Sequence, residues 1–263
     1  MDNLIMGLDV STSCVGISIF NEKGELLELT HANPSHNYNT LNQMEDLDYK
    51  ANILKEFFLE KKWHHKKIKK IIIEEPLMAA TGTAHVAAML NQFHGIFYVK
   101  LRELFKDNTK IFYINEYDAR LNAFPELSEY DQKRKKDILW RPIPHKINGH
   151  SIKEYRKMLI LLLVAQKFPE ISWSLNNNKT INKKNYDMAD SVATVLGFMQ
   201  QNKLWDNKNI NLELALDFIK KYFDFLGWQK KIKGSAAEKK TLKCHYLTDV
   251  LKIQDFINIE VFN

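Results

Sequence analysis

The sequence predicts an α/β fold in which helices flank a mixed five-stranded sheet, with a basic insertion and a helical, basic C-terminal extension. Three strand-like segments joined by short connections open the chain, and helical and strand-like patterns alternate after them. Such a succession is typical of a mixed α/β sheet. At 263 residues with 45% apolar content, the chain is long enough to bury a large core.

The first three strands follow from apolar runs separated by turn residues. Residues 4–10 and 15–20 are predicted strands, and Asn21-Glu22-Lys23-Gly24 is a turn signal before a third strand over 25–30. The remaining predicted strands lie over 68–73 and 110–114, with a short edge strand over 171–175. The predicted helices lie over 41–63, 83–105, 151–167, 187–201 and 211–226.

Composition divides the chain into a main domain and two additions. Residues 1–202 carry the predicted sheet and most helices, and residues 203–263 form the C-terminal extension. Within the main domain, the segment 117–150 breaks the alternation with prolines and a dense charge run, which indicates an insertion with a short helix. Both additions are basic, and we expect them to contribute contacts to a negatively charged partner.

Positive charge is clustered, and the formal net charge is +6. Basic clusters attract phosphate backbones without reading their sequence, so the pattern indicates a polyanionic partner. The adjacent His64 and His65 are predicted to point apart at a solvated helix end instead of binding a metal as a pair. The clusters are residues 64–67, 69–70, 133–136, 183–184, 230–231 and 239–240.

Cysteine usage and hydropathy indicate a soluble, intracellular protein. Cys14 and Cys244 are the only cysteines, and free thiols in a reducing compartment are expected. The N-terminus has no signal-peptide pattern. The longest apolar run, Met158 to Gln166, is too short to span a bilayer. We therefore expect no membrane partner and a cytoplasmic location, in a bacterium or in an infected host cell.

Carboxylates occur at three places that the predicted fold would bring together. Asp9 ends one apolar strand, Glu74 and Glu75 end another, and Asp187 and Asp190 open a helix. An acid in a buried strand needs a partner or a metal ion. Successive strand residues face opposite sides of a sheet, so only one of the two glutamates is expected to join Asp9. Hard oxygen ligands suit Mg²⁺, and the pattern predicts a two-metal site that hydrolyses phosphodiesters.

Four motifs carry a resemblance to a known family. They are Gly7-Leu8-Asp9-Val10-Ser11-Thr12 with Gly16, Ile73-Glu74-Glu75 followed by Leu77-Met78-Ala79, Leu90-Asn91-Gln92-Phe93-His94-Gly95, and Asp187-Met188-Ala189-Asp190-Ser191. In this order, over residues 4–200, they resemble the RuvC-type Holliday junction resolvases, a branch of the RNase H-like nucleases, possibly of phage or viral origin. The resemblance implies an RNase H-like fold.

The resemblance also implies an activity and its ligands. It implies an endonuclease that resolves four-way DNA junctions as a homodimer. Each active site would hold two Mg²⁺ ions, for which Mn²⁺ is expected to substitute. No nucleotide cofactor is expected. Asp9, Glu74, Asp187 and Asp190 would be the catalytic metal ligands, and Glu75 would contact a metal-bound water, a backbone amide or a basic side chain. Hydrolysis by a metal-activated water would leave a 5′ phosphate and a 3′ hydroxyl.

Several residues are candidates for DNA contact. Leu77-Met78 stands where the family carries an aromatic wedge, and apolar side chains also unstack bases. The family's lysine near the scissile phosphate matches either Lys153 or Lys157, and the sequence does not choose between them. Lys183-Lys184 directly precedes the acidic helix, where its charge would lie next to the metals.

Three other functions are compatible with parts of the sequence. The departure at Leu77-Met78 leaves a flap, branched-DNA or replication-fork nuclease of the same fold open. The segment from Asp9 to Gly16 also resembles the phosphate-binding hairpin of actin-like proteins and sugar kinases, but the chain has only 9 glycines and no glycine-rich phosphate loop. A DNA-binding scaffold without catalysis would be expected to lack one of the four acids, and all four are present.

Overall fold

The computed structural model describes most of the chain. The described residues are 3–36, 42–76, 84–106, 108–127, 146–147, 150–177, 180–202, 210–247, 252–253 and 256–259. Leu77 and Met78, the expected wedge, lie outside these residues, and so does the side chain of Lys153.

The chain forms two compact units, each built from two stretches of sequence. The first unit comprises Met1–Ala123 and Asp190–Asp206, and the second comprises Phe124–Ala189 and Asn207–Asn263. These two units differ from the predicted domains, which meet between residues 202 and 203. The predicted boundary concerns the extent of the catalytic region and stays a prediction.

The first unit contains the predicted five-stranded sheet. Its strand order is β3-β2-β1-β4-β5. β1 pairs antiparallel with β2, and β2 with β3, whereas β1 and β4, and β4 and β5, run parallel. The sheet is mixed, as the sequence predicts. The strands are β1 (Leu4–Val10), β2 (Val15–Asn21), β3 (Leu26–Ala32), β4 (Ile68–Glu74) and β5 (Lys110–Ile114).

Helices and short strands complete the described chain. The helices are α1 (Gln43–Glu60), α2 (Ala84–Phe105), α3 (Glu116–Ala123), α4 (Ile152–Lys167), α5 (Lys184–Gln201), α6 (Leu212–Gln229) and α7 (Ala236–His245), with a 3₁₀ turn over Trp63–His65. Two-residue strands form the pairs β6 (Lys146–Ile147) with β7 (His150–Ser151) and β8 (Ser172–Trp173) with β9 (Asn258–Ile259). Among the described residues, no helix is long and apolar enough to cross a membrane.

The core of the first unit lies where α1 and α2 cover the sheet. Phe58 of α1 packs edge-on against Trp63, Phe97 and Phe105, with ring centroids 5.0, 5.9 and 6.4 Å apart. Burying one such side chain stabilises the fold by about 1.5–3 kcal/mol. α1 begins with a capping box, in which Asn42 and Glu45 each accept a hydrogen bond from the other's backbone N–H.

Gly7 lets α5 approach the sheet closely. A Cβ at this position would lie 2.4 Å from the Ser191 carbonyl oxygen and 2.5 Å from Val195 Cγ2, both on α5. We therefore expect Gly7→Ala to lower the free energy of unfolding by about 1–3 kcal/mol. Gly95 of α2 is the control, because a Cβ there meets nothing within 4 Å, and Gly95→Ala should raise stability by about 0.5–1 kcal/mol. Equal urea midpoints for the two variants would contradict this account.

The second unit contains a helix that the sequence analysis missed. The last helix that the sequence predicts ends at residue 226, but Ala236–His245 is also helical. Ser235 accepts the Glu238 N–H, and the Glu238 side chain accepts the Ser235 N–H, so a capping box starts α7. This Ser-x-x-Glu pattern was the signal available in the sequence.

Candidate active site

Asp9 and Glu74 lie at one edge of the sheet. Leu8 of β1 pairs with Ile73 of β4 in a parallel register, so the next residue of each strand is an acid at the same edge. Both acids are partly buried, whereas Glu75 is exposed, and the Glu75 N–H donates to the Ile114 carbonyl over 2.9 Å. The strand order and register thus bring Asp9 and Glu74 together.

The charge around Glu74 is strongly negative. Desolvation by the surrounding protein raises the pKa of Glu74 well above its ordinary value, and the neighbouring Asp9, Asp190 and Glu116 raise it further. Arg120 acts in the opposite direction. Four acids and one arginine therefore interact at this edge, and excess negative charge of this kind favours binding of a cation.

Arg120 is the buried cation of this group. Its Nη2 and Nε donate to Asp190 Oδ1 over 2.8 and 3.2 Å, and its Nη1 forms an ion pair with Glu116 one turn earlier on α3. The side chains of Arg120 and Asp190 are only 5% and 2% exposed. Burial lowers the pKa of Arg120, but Asp190, Glu74 and Glu116 outweigh it and raise the pKa. The guanidinium is therefore permanently charged.

The helix that carries Asp190 is fixed to the sheet by polar contacts as well as by Gly7. Ser18 Oγ donates to the Ser191 carbonyl over 2.9 Å, across 173 residues of sequence. Thr194 Oγ1 donates to the Asp190 carbonyl over 2.9 Å. All four residues are buried. The backbone at Asp190 is therefore held in one position relative to β2.

Asp187 lies in the second unit, where a lysine contacts it. Lys157 Nζ of α4 lies 3.0 Å from Asp187 Oδ1, and both side chains are mostly buried. Of the two candidate lysines, Lys157 is the one whose side chain is described. Lys183 is exposed and Lys184 is partly buried at the start of α5, and their predicted phosphate contacts stay predictions.

The donor chemistry of the first unit fits a divalent cation. Asp9, Glu74, Asp190 and Glu116 supply hard carboxylate oxygens, which Mg²⁺ prefers. The pKa of Glu74 is raised first by burial and then by the neighbouring acids, of which Asp9 has the largest effect. Within the described residues, no three His, Cys, Asp or Glu side chains are close enough to hold one ion together. The assignment of Asp9, Glu74, Asp187 and Asp190 as metal ligands therefore stays a prediction.

Sequence reasoning missed Glu116 and Arg120. Both lie on α3, whose residues from 117 onward the sequence analysis places in an insertion, yet α3 belongs to the first unit. A Cβ on Gly197 of α5 would lie 2.2 Å from the Ala119 carbonyl oxygen, so α3 packs tightly on α5. The available signal was the Glu116–Arg120 spacing of four residues, which suits an ion pair on a helix.

The sheet order and strand directions define an RNase H-like fold, as the sequence predicts. The acids lie on its first strand, its fourth strand and the helix that follows later in the chain. Three of the four sequence motifs contain these acids, and the other motif lies on α2.

Comparisons with known proteins give structural similarities only. The chain is similar to Thermus thermophilus RuvC in complex with a Holliday junction substrate, at 10% identity over 77% of this chain and 96% of that chain, with a TM-score of 0.46. A second T. thermophilus RuvC structure matches at 14% identity over 76% and 96%, with a TM-score of 0.45. The yeast mitochondrial Holliday junction resolvase Ydc2 matches at 14% over 83% of each chain, with a TM-score of 0.44. No protein-family model and no curated protein matches the sequence.

Proposed function

We propose that this protein is a structure-selective endonuclease that resolves four-way DNA junctions by metal-dependent hydrolysis of phosphodiester bonds. The alternative within the same chemistry is a flap, branched-DNA or replication-fork nuclease. The observation that carries the proposal is the group of four acids around Glu74, which come from β1, β4, α3 and α5 and outnumber the single arginine, Arg120, that faces them. The four ordered sequence motifs support the same reading.

The chain's own residues would divide the work as follows. Asp9, Glu74 and Asp190 would hold divalent ions through carboxylate oxygens, with Asp187 as a further ligand. Bound Mg²⁺ would supply Lewis acidity and an activated water. Arg120 would fix one oxygen of Asp190, and Lys157 would fix Asp187. No side chain is needed as a nucleophile.

We further propose a homodimer acting on branched DNA in the cytoplasm. Two copies related by a twofold axis would suit paired cuts in two symmetric strands of a junction. The net charge of +6 would attract the DNA backbone despite the acidic centre.

The test is a cleavage assay on synthetic four-way, three-way and flap DNA with and without Mg²⁺. We expect paired symmetric nicks in four-way DNA that require the metal. The Asp9→Asn variant should cleave at least about 100-fold more slowly, because removing even an outer contact to a metal ligand lowers metal affinity or activity 10–100-fold. The variant should still bind DNA.

Asp118→Asn is the matched control, because Asp118 is an exposed acid on α3 and should leave cleavage unchanged. Preferential cutting of flaps would favour the alternative nuclease. Parent-like cutting by Asp9→Asn would reject the proposed site.

A further inference from the structure

A basic cavity lies in the first unit at the start of β4. Its volume is about 420 Å³, and no acidic residue lines it among the described residues. It sits between the 3₁₀ turn, the first residues of β4 and the end of α2. The charged and ionisable lining residues are His64, His65, Lys66, Lys67, Lys69 and Lys106.

Among the described residues, three of the four lysines that line this cavity have no salt-bridge partner. Lys66 Nζ binds Glu28 Oε2 over 2.8 Å, so that charge is already balanced. In the described part of the chain, no acidic side chain forms a salt bridge with Lys67, Lys69 or Lys106. Ammonium groups that line one cavity repel one another, and an anion bound there would relieve that repulsion.

One of the two histidines at the cavity has an unsatisfied ring nitrogen. They were predicted to point apart, but the 3₁₀ turn brings their ring centroids to 3.8 Å, so that prediction is wrong. His64 Nδ1 is buried and has no hydrogen-bond partner in the described structure. Buried polar atoms nearly always have a partner, and each exception calls for an explanation such as a ligand or an ordered water.

The backbone is left-handed at one residue that lines the cavity and at one residue that precedes its 3₁₀ turn. Lys106 lines the cavity with φ at 51°, and Lys62 directly precedes the 3₁₀ turn with φ at 54°. Residues other than glycine adopt this left-handed region at a cost of about 1–3 kcal/mol, and such residues cluster at ligand sites.

We propose that this cavity binds a phosphate ester. Three ammonium groups that have no salt-bridge partner in the described part of the chain match a phosphate better than a single carboxylate, because a phosphate monoester offers three acceptor oxygens and a charge near −2. A volume of 420 Å³ is larger than one phosphate and lies within the range of small-ligand sites, so there is room for an attached sugar or nucleoside.

This site is separate from the carboxylates. β4 runs from Ile68 at the cavity to Glu74 at the acids, and six residue steps at about 3.3 Å give roughly 20 Å. The phosphate bound here is therefore not the phosphate that would be cut. The inference does not rest on the proposed nuclease activity, because its evidence lies entirely at the opposite edge of the sheet.

The test compares two double variants that remove the same charge. Lys67→Gln/Lys106→Gln alters the cavity, and Lys23→Gln/Lys61→Gln alters exposed lysines of the same unit outside it. Binding of inorganic pyrophosphate is measured by calorimetry in EDTA, and binding of a short labelled single strand is measured by anisotropy at several salt concentrations. We expect the cavity variant to bind pyrophosphate at least about tenfold more weakly, since hydrogen bonds to charged groups are the stronger kind.

The outcomes separate the sources of the phosphate. Displacement of the single strand by pyrophosphate, with a salt slope about 1.4 smaller for the cavity variant, would identify a polynucleotide backbone. Pyrophosphate binding without competition would identify a free phosphate ester. Equal loss in both double variants, or no pyrophosphate binding by the parent, would overturn the proposal. The parent's cleavage of junctions with Mg²⁺ is measured separately, so that either proposal can fail alone.

Discussion

Arg120→Met is expected to lower the free energy of unfolding by about 3–5 kcal/mol, because it leaves the Asp190 carboxylate buried without its counter-charge. Asp190 is 1% exposed and receives two hydrogen bonds from Arg120. For a chain of this size the loss corresponds to a melting temperature lower by roughly 6–20 °C. Thermal and urea unfolding in EDTA would measure it.

Two further variants isolate the cause. Arg120→Met/Asp190→Asn should recover more than half of the loss, because the unpaired charge is then absent. Lys221→Met is the control, since its pair with Asp217 spans four residues of α6 and both side chains are more than half exposed. That variant should cost about 0.5 kcal/mol or less. A loss in Arg120→Met no larger than in Lys221→Met would show that the buried pair is not important for stability.

Glu74→Gln is expected to raise stability and abolish activity. In EDTA, the variant removes one negative charge from a desolvated group of acids, and gains at such functional sites are typically about 0.5–2 kcal/mol. Cleavage should fall at least about 100-fold. Mg²⁺ should raise the melting temperature of the parent protein and should raise that of the variant much less. This measurement does not depend on activity.

The stability gained in the Glu74→Gln variant should increase as pH rises. The pKa of Glu74 is raised by folding, so its contribution to stability is fully present below the ordinary glutamate pKa of about 4.3 and is lost as pH rises through the folded value. The advantage of Glu74→Gln should therefore be small near pH 4 and grow toward pH 8.

Glu103→Gln should behave oppositely to Glu74→Gln. A hydrogen bond from Lys55 Nζ, 2.6 Å from Glu103 Oε2, lowers the pKa of Glu103. The contribution of Glu103 is therefore present above its ordinary pKa and lost on acidification. A Glu74→Gln advantage that does not change with pH would contradict the electrostatic explanation.

The sheet was predictable because its signals are local. The run Ile71-Ile72-Ile73 is apolar on both faces, as a central parallel strand requires, and β4 indeed lies between β1 and β5. Turn residues between the first three apolar runs predicted where the chain reverses direction between antiparallel strands. Asp9 and the pair Glu74-Glu75 could be assigned to one edge because they end such runs, whereas the choice of Glu74 depended on the family resemblance. The parallel pairing of β1 and β4 aligns Asp9 with Glu74.

Arg120 was not predictable in the same way. Its neighbours on α3 are mostly polar, so the local pattern resembles a solvated helix, and only tertiary packing buries it against Asp190. The contact joins residues 70 apart. The closeness of His64 and His65 was missed because the prediction assumed regular geometry, whereas a tight 3₁₀ turn follows Lys62 in a left-handed conformation.

The discontinuous first unit has a consequence for protein synthesis. The hydrogen bond from Ser18 to the Ser191 carbonyl can form only after the ribosome has added another 173 residues. At 5–20 residues per second this takes roughly 9–35 s. Throughout this time the nascent sheet lacks the helix that covers Gly7. The exposed apolar surface of the nascent sheet can then aggregate or bind chaperones. Slowing translation after residue 123 should increase both aggregation and chaperone binding.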